Sequence, residues 1–374
     1  MFESLKNKNL LIVTSEFPPL PGGIGEHAYQ LAKQLHRLGY HITVLSDQRV
    51  SEGLEEHKFD EALPFQVVRT ALRSSRWQMY FQRIQQYREL AAHTDVVLAS
   101  GKFSLWLVGF TKWLYKKPSI GILHGFEVNF HKTALKESID KALQTFDRLV
   151  AVSNFTASKV SQFQDKVCVI PNGYAKDKWA NTHLIPVTLK GNPKLITVGN
   201  VHERKGQLQV IKLLPELLRV FPDLHYHCVG LPTEVSKFQK EAERLGVESH
   251  VSFHGRLSTD EVASYLKDPD IFVMLSQETA TGDVEGFGIA ILEANGFGIP
   301  ALGGLGSGVE DAIQNGVSGK LVDSEDPQAI IEAIQEILSH YKAYSEGAKA
   351  WAETHVWEQV VKGYVEVIEG FRNQ

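Results

Sequence analysis

The residues best suited to chemistry form two charged pairs in the second half of the sequence. Arg204 and Lys205, in "VGNVHERKGQLQV", follow an apolar run that is typical of a strand, and two cations at a strand end can neutralise a phosphate. Glu285 and Glu293 are separated by seven residues. With a helix that begins near Gly286, they would lie ~12 Å apart along its axis. Ionised carboxylates accept strong hydrogen bonds from hydroxyl groups, so this spacing suits hydroxyl-rich groups at the two ends of a diphosphate.

Each pair also has an ordinary structural explanation. An Arg-Lys pair on a loop is usually solvated, Glu285 could simply complement a helix dipole, and Glu293 could be an exposed helix residue. A glycine-rich segment, "GGLGSG" at 303–308, lies between a predicted strand and a predicted helix and could offer backbone N–H groups to an anion. The combination of cations, acids and glycines therefore predicts a phosphate-binding site more strongly than any one feature.

A second glycine-rich segment lies near the amino terminus, in "PPLPGGIGEHA". Residues 23–28 match the dinucleotide fingerprint G-x-G-x-x-A, and Asp47 follows about twenty residues later, where a ribose-binding acid belongs. An NAD-dependent dehydrogenase is therefore one hypothesis. However, about seven residues separate the preceding predicted strand from Gly23, whereas the fingerprint needs its first glycine directly after the strand. The remaining readings are a helix N-terminus that faces an anion and a plain tight turn.

Short apolar runs alternate with helix-period segments along the whole chain. One series runs from "NLLIVTS" to "RLVAVS", and a second begins at "KLITVG" after a polar stretch at 172–193 that is rich in proline and glycine. Such alternation is typical of parallel sheets covered by helices. The sequence predicts an α/β protein with two doubly wound, Rossmann-like domains, residues 1–178 and 179–356. Ligands of such sheets bind beyond the carboxyl ends of the strands, and two such edges could face each other across a cleft.

Length and composition agree with this division. The 374 residues exceed what one core usually supports, and a net charge of −5 implies no nucleic-acid partner. Cys168 and Cys228 lie in predicted strands, where free cysteine behaves as a small hydrophobe, so a reducing compartment is the simplest expectation. No apolar run reaches the ~18 residues of a membrane span. These features predict a cytoplasmic protein.

Two segments of the first half combine apolar and basic residues. Residues 105–117, "LWLVGFTKWLYKK", are interpreted as a helix packed in the core. Residues 73–90 mix four arginines with Trp77, Tyr80 and Phe81. They predict either a solvated amphipathic helix or, as the alternative, a helix that rests on an anionic membrane surface at the inner face of a membrane.

The motifs "PPLPGGIGEHAYQLAKQL", "ILHGFE", "VSNFTA", "IPNG", "RKG" and "EGFGIAILEANGFGIPALGG" together resemble those of the retaining glycosyltransferases of family four, also called glycosyl transferases group 1. The resemblance covers nearly the whole chain, and the segment with the two glutamates is its most specific part. It implies the GT-B architecture of two Rossmann-like domains. The second domain would hold most of a nucleotide sugar, the first would hold most of the acceptor, and a C-terminal helix at about 357–374 would return to the first domain.

The resemblance also implies roles for individual residues. Gly23 would lie against the donor diphosphate, His124 beside the transferred sugar, and Lys205 on the phosphates. Glu285 would contact the donor hexose and Glu293 the ribose. Between them, Phe287 and Gly288 would direct backbone amides to the sugar and phosphate. The family commonly has arginine where this chain has Asn200, so Arg204 is expected to supply the second positive charge.

The resulting expectation is a metal-independent hexosyltransferase that uses a UDP- or GDP-sugar as donor substrate, needs no cofactor, and transfers to a hydroxyl of a sugar, a glycolipid or another acceptor in glycan or polysaccharide synthesis. The motif "DPD" at 268–270 imitates an acidic metal site, but it precedes a strand and is interpreted as a helix end. A nucleotide-sugar epimerase, the dehydrogenase and a sugar-nucleotide sensor remain as alternatives.

Overall fold

The structure is a computed structural model that describes residues 8–373, with side chains to Phe371. Two compact units divide it: the first runs to Gly173 and resumes at Trp357, and the second is Tyr174–Val356. The division lies five residues before the boundary that the sequence predicts, so the short helix near 178 belongs to the second unit.

The first unit is built on a seven-stranded parallel sheet in the order β3-β2-β1-β4-β5-β6-β7. Its strands are β1 Asn9–Thr14, β2 His41–Asp47, β3 Gln66–Thr70, β4 Val96–Ser100, β5 Ser119–Leu123, β6 Arg148–Ala151 and β7 Val167–Val169. Its helices are α1 Gly23–Arg37, α2 Leu54–Glu61, α3 Arg76–Ala92, α4 Lys102–Tyr115, α5 Thr133–Gln144, α6 Asn154–Ser158 and α15 Trp357–Glu369.

The second unit is built on a six-stranded parallel sheet in the order β10-β9-β8-β11-β12-β13. Its strands are β8 Lys194–Val198, β9 His225–Val229, β10 Val251–Gly255, β11 Ile271–Met274, β12 Ala301–Gly304 and β13 Gly319–Val322. Its helices are α7 Lys176–Ala180, α8 Gln207–Val220, α9 Val235–Leu245, α10 Thr259–Tyr265, α11 Ile289–Gly296, α12 Val309–Ala312, α13 Pro327–Ser339 and α14 Tyr341–Thr354.

The strand orders confirm the predicted doubly wound α/β class. In each sheet the first strand of the unit, β1 or β8, lies in the interior, and the chain then winds toward both edges. The central strands are buried on both faces, as the apolar runs "LLIV" in β1 and "VVLA" in β4 require. Both cysteines are free, and they lie on β7 and β9 as predicted.

The C-terminal helix α15 packs on α1 within the first unit. The buried His27 ring bonds through Nε2 to the Tyr364 hydroxyl at 2.9 Å, and Gln34 Nε2 donates to Glu358 Oε1 at 3.1 Å. Trp357 is buried against the backbone of Gly173. The last helix is thereby tied to the helix that follows the first strand, so the chain end completes the first unit.

Two local predictions are wrong in part. The helix after Glu285 begins at Ile289 instead of near Gly286, because Gly288 adopts a left-handed conformation with φ +97° and starts the helix there. The segment 105–117 is helical as predicted, but only one face of α4 packs in the core. Leu105 and Val108 are buried, whereas Trp113 is 71% exposed and Leu114 52% exposed, so the core-packed interpretation holds for one face of the helix only.

Candidate active site

The loop after β8 brings Arg204 and Lys205 to the carboxyl edge of the second sheet. A single 3-10 turn at Glu203–Lys205 holds them between β8 and α8, and His202 Nδ1 accepts the Arg204 N–H at 3.2 Å. Ser276, at the carboxyl end of β11, donates its hydroxyl to the Arg204 carbonyl. The backbone N–H and C=O of Arg204 are therefore both hydrogen-bonded, which restrains the turn that carries the two cations.

Both cations converge on one carboxylate oxygen. Glu285 Oε2 lies 2.6 Å from Arg204 Nη1 and 2.7 Å from Lys205 Nζ. Asp283 Oδ2 lies 3.2 Å from Arg204 Nε on the other side of the guanidinium. Arg204, Lys205 and Glu285 were predicted from the sequence, and the structure brings them together across 81 positions of the chain. Asp283, only two residues from Glu285, was not predicted.

Electrostatics keeps this cluster ionised. Burial is the largest influence on Glu285 and by itself raises the carboxyl pKa, but the attraction of Lys205 and Arg204 outweighs it and lowers the pKa to about 2. Glu285 in turn raises the pKa of the Arg204 guanidinium. Glu285 and Arg204 therefore carry full charge near pH 7, in a place where only 11% of the Glu285 side chain is exposed.

The segment after Glu285 folds around that residue. The amide of Phe287 donates to the Glu285 carboxylate, and the amide of Gly308 donates to the Glu285 carbonyl at 2.9 Å. The Gly306 amide donates to Glu310 Oε1 at 2.7 Å. The Gly308 amide thus holds the site loop, whereas the Gly306 amide caps the short helix α12. Anion binding by the remainder of segment 303–308 stays a prediction.

Glu293 lies on α11, away from this cluster of cations. Its Oε1 atom is 3.2 Å from Lys178 Nζ on α7, a partner that the sequence analysis did not identify. Because α11 begins at Ile289, Glu293 is only about 6 Å along the helix axis from its start. The ~12 Å helical separation expected for the two glutamates is therefore wrong, since residues 285–288 are not helical.

Asn200 replaces the expected arginine at the end of β8. Its side chain is exposed, and its carbonyl accepts a hydrogen bond from Gln207 Nε2 at 3.1 Å. No cation occupies this position itself, whereas Arg204 and Lys205 reach the site from four and five residues further along. This placement is consistent with Arg204 as the second positive charge.

In the first unit, Gly23 is the first residue of α1, after an eight-residue loop at 15–22. Apart from its two chain neighbours and the backbone of its own helix, no atom of the described residues lies within 4 Å of the point where a Cβ of residue 23 would stand, so a ligand can approach the backbone there. The first-turn amides of a helix have no acceptor within the helix. By contrast, Asp47, the ribose-binding acid of the dehydrogenase hypothesis, is held on both oxygens by Arg83 of α3. Because both oxygens already accept hydrogen bonds from Arg83, the carboxylate is not free to bind the ribose hydroxyl as the dehydrogenase hypothesis requires.

His124 follows β5 at the carboxyl edge of the first sheet. Its Nε2 atom lies 2.9 Å from the hydroxyl of the buried Ser100 at the end of β4. Its ring stands edge-on to the His27 ring, with centroids 4.9 Å apart. Burial lowers the pKa of His124 to about 4, and burial followed by the repulsion of His124 lowers that of His27. Both imidazoles are therefore neutral near pH 7, so His124 can exchange hydrogen bonds but carries no charge.

Glu127 is a residue of this edge that the sequence analysis did not single out. Its Oε1 atom accepts a hydrogen bond from the backbone N–H of His124 at 2.7 Å. Its Oε2 atom is buried without a hydrogen-bond partner among the described residues. Burial raises the pKa of this carboxyl to about 7. An acid three positions after a histidine, in a turn that directly follows a strand, was the available signal.

The acidic motif at 268–270 has a structural role. Asp268 accepts the Leu189 amide at 2.7 Å and pairs with Lys194 Nζ at 2.9 Å. Asp270 accepts the Lys194 amide at 2.7 Å. These bonds fix the amino end of β8, at the opposite edge from the cation cluster. Over residues 8–373, no group of three or more His, Cys, Asp or Glu side chains is arranged to hold a metal ion, and no helix combines the length and apolar character of a membrane span.

Comparison with known families covers both units. The family described as "Glycosyltransferase Family 4" matches residues 21–178, and the family "Glycosyl transferases group 1" matches residues 183–353. A GDP-mannose-dependent alpha-(1-6)-phosphatidylinositol monomannoside mannosyltransferase of Mycolicibacterium smegmatis is 26% identical, over 97% of this chain and 99% of that protein. A glycogen synthase of Mycobacterium tuberculosis is 23% identical over 91% of this chain and 88% of that protein.

Solved structures show the same architecture. A crystal structure of Anabaena Alr3699/HepE in complex with UDP and glucose superposes with a TM-score of 0.75 at 18% identity, covering 97% of this chain and all of that one. A glycosyltransferase from Rickettsia africae gives a TM-score of 0.76 at 19% identity, covering 98% and 99% of the two chains.

Two parallel α/β units of this kind, with a cationic loop at the carboxyl edge of the second sheet, define a glycosyltransferase of the GT-B architecture. The chain belongs to the family-four glycosyltransferases, the glycosyl transferases group 1. The family resemblance in the sequence is confirmed, and neither the dehydrogenase nor the epimerase hypothesis gains support.

Proposed function

We propose that this glycosyltransferase is a retaining, metal-independent hexosyltransferase that takes its hexose from a UDP- or GDP-sugar. The observation that carries the proposal is the pair of cations, Arg204 and Lys205, held on one ionised carboxylate at a sheet edge. The Anabaena structure was solved with UDP and glucose, and the mycobacterial relative is GDP-mannose-dependent. These names support a nucleotide sugar as donor. Experiment must decide whether its nucleobase is uracil or guanine.

The chemistry follows from the charge that develops when the anomeric bond breaks. Negative charge collects on the leaving diphosphate and positive charge on the sugar ring, so fixed cations near the phosphate lower the barrier. Lys205 and Arg204 would move from Glu285 toward the phosphate oxygens. The negative charge of the phosphate would then replace that of Glu285 as their partner. The cations then provide the stabilisation for which other transferases use a metal ion.

Glu285 would bind hydroxyls of the donor hexose, because an ionised carboxylate is a strong acceptor. Glu293 is proposed for the ribose, with Lys178 holding it at 3.2 Å. Phe287 and Gly288 would contribute main-chain contacts to the donor, and Asn200 would line the donor side at the end of β8. In this proposal the donor is a substrate and no further cofactor takes part.

The first unit is proposed to handle the acceptor. Gly23 offers first-turn amides to a phosphate oxygen, and His124 hydrogen-bonds the transferred sugar. In a retaining transferase, the leaving phosphate can itself take the proton from the incoming hydroxyl on the same face of the sugar, so no protein base is required. The relative from Mycolicibacterium smegmatis acts on a phosphatidylinositol monomannoside, which supports an acceptor of the glycolipid or glycan class. A location in the cytoplasm stays a prediction.

A thermal-shift panel of UDP- and GDP-sugars tests donor binding. A ligand at 100 times its Kd should stabilise the protein by ~2.7 kcal/mol. The stabilising nucleotide sugar is then incubated with the protein, and nucleoside diphosphate release and the anomeric configuration of the product are followed by NMR. An inverted product would overturn the retaining mechanism. Stabilisation by NAD but by no nucleotide sugar would overturn the donor class, and conversion of the donor to its epimer would favour the epimerase.

A further inference from the structure

Helices α3 and α4 leave an unusual apolar surface in the first unit. Trp77 and Phe81 of α3 are 81% and 64% exposed, and Phe110, Trp113 and Leu114 of α4 are 49%, 71% and 52% exposed. Single exposed apolar residues are ordinary, but a cluster of large ones on neighbouring helices is typical of an interaction surface. We call residues 76–115 of these two helices the α3–α4 face.

A groove of about 250 Å³ runs between the two helices. It is lined mainly by rings and aliphatic side chains, with little polar surface: Tyr80, Arg83, Ile84, Phe103, Trp106, Leu107, Phe110 and Thr111. The rings of Tyr80 and Phe103, 6.0 Å apart between centroids, join the helices at one end. A groove with this lining favours a hydrocarbon chain over a polar ligand.

Aromatic side chains continue from this groove to the edge that carries His124. Phe103 contacts Trp106 at 5.7 Å between ring centroids, and Trp106 stacks on Phe130 at 6.5 Å. Phe130 contacts Phe126 at 5.8 Å, which lies two residues after His124. The apolar path therefore connects the α3–α4 face with the residues proposed to handle the acceptor.

The charge of the face is opposite to that of the whole chain. Residues 71–118, the face and its flanking residues, contain eight lysines and arginines and two acids, whereas the chain has a net charge of −5. Two of the eight, Arg83 and Lys112, pair with Asp47 and Asp147 outside this range, which leaves six basic residues against two acids. Arg73, Arg76 and Lys116 are exposed at the ends of the two helices. Lys102 lies 5.3–5.8 Å from the centroids of four aromatic rings, so the basic and aromatic residues share one surface.

We propose that the α3–α4 face docks on an anionic lipid bilayer, with the exposed aromatic side chains in the headgroup region and a lipid chain in the groove. Tryptophan and phenylalanine are suited to this interface, and each basic residue near an anionic surface adds about 1 kcal/mol of attraction, or about fivefold in partitioning. The inference deepens the proposed function and rests on it for one point, that the acceptor can be a lipid reached along the aromatic path.

Two other occupants fit less well. A second copy of the chain in an isologous dimer would place the same basic surface against itself, which is electrostatically unfavourable. A carbohydrate would need hydrogen-bonding groups beside the rings, and the groove offers few. The opposite charge of an anionic bilayer complements the face, and the relative that acts on a phosphatidylinositol monomannoside meets such a surface through its own substrate.

Co-sedimentation with unilamellar vesicles tests the proposal on the full chain. We expect binding to phosphatidylcholine vesicles that contain about one third phosphatidylglycerol, weak binding to pure phosphatidylcholine, and loss of binding as salt rises. Equal binding to both vesicle types, or no binding to either, would overturn it. Light scattering on the same samples reports the oligomeric state; a dimer that the Trp113→Ser substitution dissociates, without vesicle binding, would show that the face pairs copies of the chain.

Matched variants locate the surface. Trp77→Ser and Trp113→Ser are each expected to weaken partitioning into anionic vesicles by roughly tenfold, and Arg76→Glu by more than about fivefold. Leu54→Ser removes a side chain that is also 71% exposed but lies on α2, and Lys342→Glu reverses a 91% exposed charge on α14; both should bind as the wild type does. Losses of equal size in the control variants would contradict the assignment.

Failure of this inference can be told apart from failure of the proposed function. Thermal stabilisation of the wild-type protein by UDP- or GDP-sugars is measured in the same buffer without vesicles. A chain that binds the nucleotide sugar but not the anionic vesicles keeps its proposed donor chemistry and loses the docking surface. A chain that binds the vesicles but no nucleotide sugar keeps the surface, and the proposed function fails.

Discussion

The residues proposed to bind substrate differ in charge between the carboxyl edges of the two sheets. At the second sheet, Glu285 forms ion pairs with Arg204 and Lys205, and the pKa of its carboxyl is lowered to about 2. At the first sheet, His27 and His124 are neutral, because burial lowers the pKa of both. The same strand-loop-helix geometry therefore supports fixed charge in one unit and uncharged hydrogen-bonding groups in the other.

This difference reflects what each edge is proposed to bind. A diphosphate leaving group gains negative charge during transfer, so permanent cations serve it best. An incoming hydroxyl is neutral, and neutral hydrogen-bonding groups are sufficient to position it. Burial of a carboxylate costs stability unless cations lie beside it. Glu285 has two such cations, whereas Glu127 has none in hydrogen-bond contact and instead has a pKa raised to about 7.

Removal of one cation should have the largest effect at the second edge. We expect Lys205→Ala to lower kcat for nucleoside diphosphate release by about a hundredfold or more, which corresponds to about 2.7 kcal/mol or more of transition-state stabilisation. Lys237→Ala is the control, since Lys237 pairs with Glu203 of the same loop and is 55% exposed. A Lys205→Ala variant with activity within about threefold of the wild type would remove this lysine from the proposed site.

Neutralising the shared carboxylate should destabilise the second unit. Glu285→Gln leaves the mostly buried Lys205 without its carboxylate partner and Arg204 with Asp283 alone, and we expect the free energy of unfolding at pH 7 to fall by about 3 kcal/mol. Glu293→Gln breaks a more exposed pair with Lys178, whose side chain is 38% exposed, and should cost less than about 1 kcal/mol. Urea unfolding of the two variants measures the difference, and equal losses would contradict the contrast between a buried and a peripheral pair.

The first edge should respond to pH where the cation cluster does not. The pKa of Glu127 is raised to about 7 in the folded protein from an unfolded value near 4.5, so the native state binds more protons between these values. Stability is therefore lost as pH rises from 4.5 to 7. Glu127→Gln removes this loss, and we expect the variant to gain about 3 kcal/mol relative to the wild type between pH 4.5 and pH 8.

Thermal unfolding of Glu127→Gln across that pH range measures this gain. Glu137→Gln, on the exposed side of α5, is the control and should follow the wild-type curve. A Glu127→Gln curve parallel to that of the wild type would show that the Glu127 carboxyl does not titrate in this range, and the contrast between the two edges would then rest on the histidines alone.

The smallest expected effect concerns histidines of the second unit that lie away from its carboxyl-edge cluster. His254 Nε2 lies 3.0 Å from His227 Nδ1, and the His225 ring lies 4.7 Å from the His227 ring between centroids, tilted by 35°. Burial, followed by His227, lowers the pKa of His254 to about 4. Its contribution to stability is present above pH 6.5 and is lost as pH falls from 6.5 to about 4.

We expect His254→Asn to reduce this acid loss by less than about 1 kcal/mol, because the cluster is partly exposed and solvent screens the charge. The measurement is the difference in unfolding midpoint between pH 7 and pH 4.5. His183→Asn, on an exposed residue of the same unit, should not change that difference. A larger acid loss in His254→Asn than in the wild type would reverse the expected sign.

Most of the fold could be predicted because its signals are local. Apolar runs of strand length alternate with helical periods, and this pattern alone predicts two doubly wound sheets. The exposure of α4 could not be predicted in the same way. Its residues 105–115 place apolar side chains around the whole helix and are interrupted by Thr111 and Lys112, so only the packing of neighbouring helices decides which apolar side remains uncovered.

The residue types of the candidate site could be predicted from the sequence, but some of their partners could not. Arg204, Lys205 and Glu285 carry the family motifs, and their types indicate phosphate and hydroxyl binding. Asp283 and Glu127 were not predicted as site residues. Asp283 has no distinctive spacing, whereas Glu127 follows His124 by three positions in "ILHGFE", and the burial that raises its pKa depends on tertiary structure. Asp47 was assigned to a ribose in one hypothesis because its spacing fits a fingerprint, and the structure shows that Arg83 occupies both of its oxygens.

The sequence by itself determined the strands, the helices and the chemical types of the residues at the strand ends, because hydrophobic periodicity and residue chemistry depend on near neighbours. Tertiary structure alone decided which of those residues share a carboxylate, which carboxyl loses its charge, and which apolar helix face stays exposed. Each of these depends on burial and on charges brought together from distant parts of the chain, as Glu285 and Lys205 are across 80 positions.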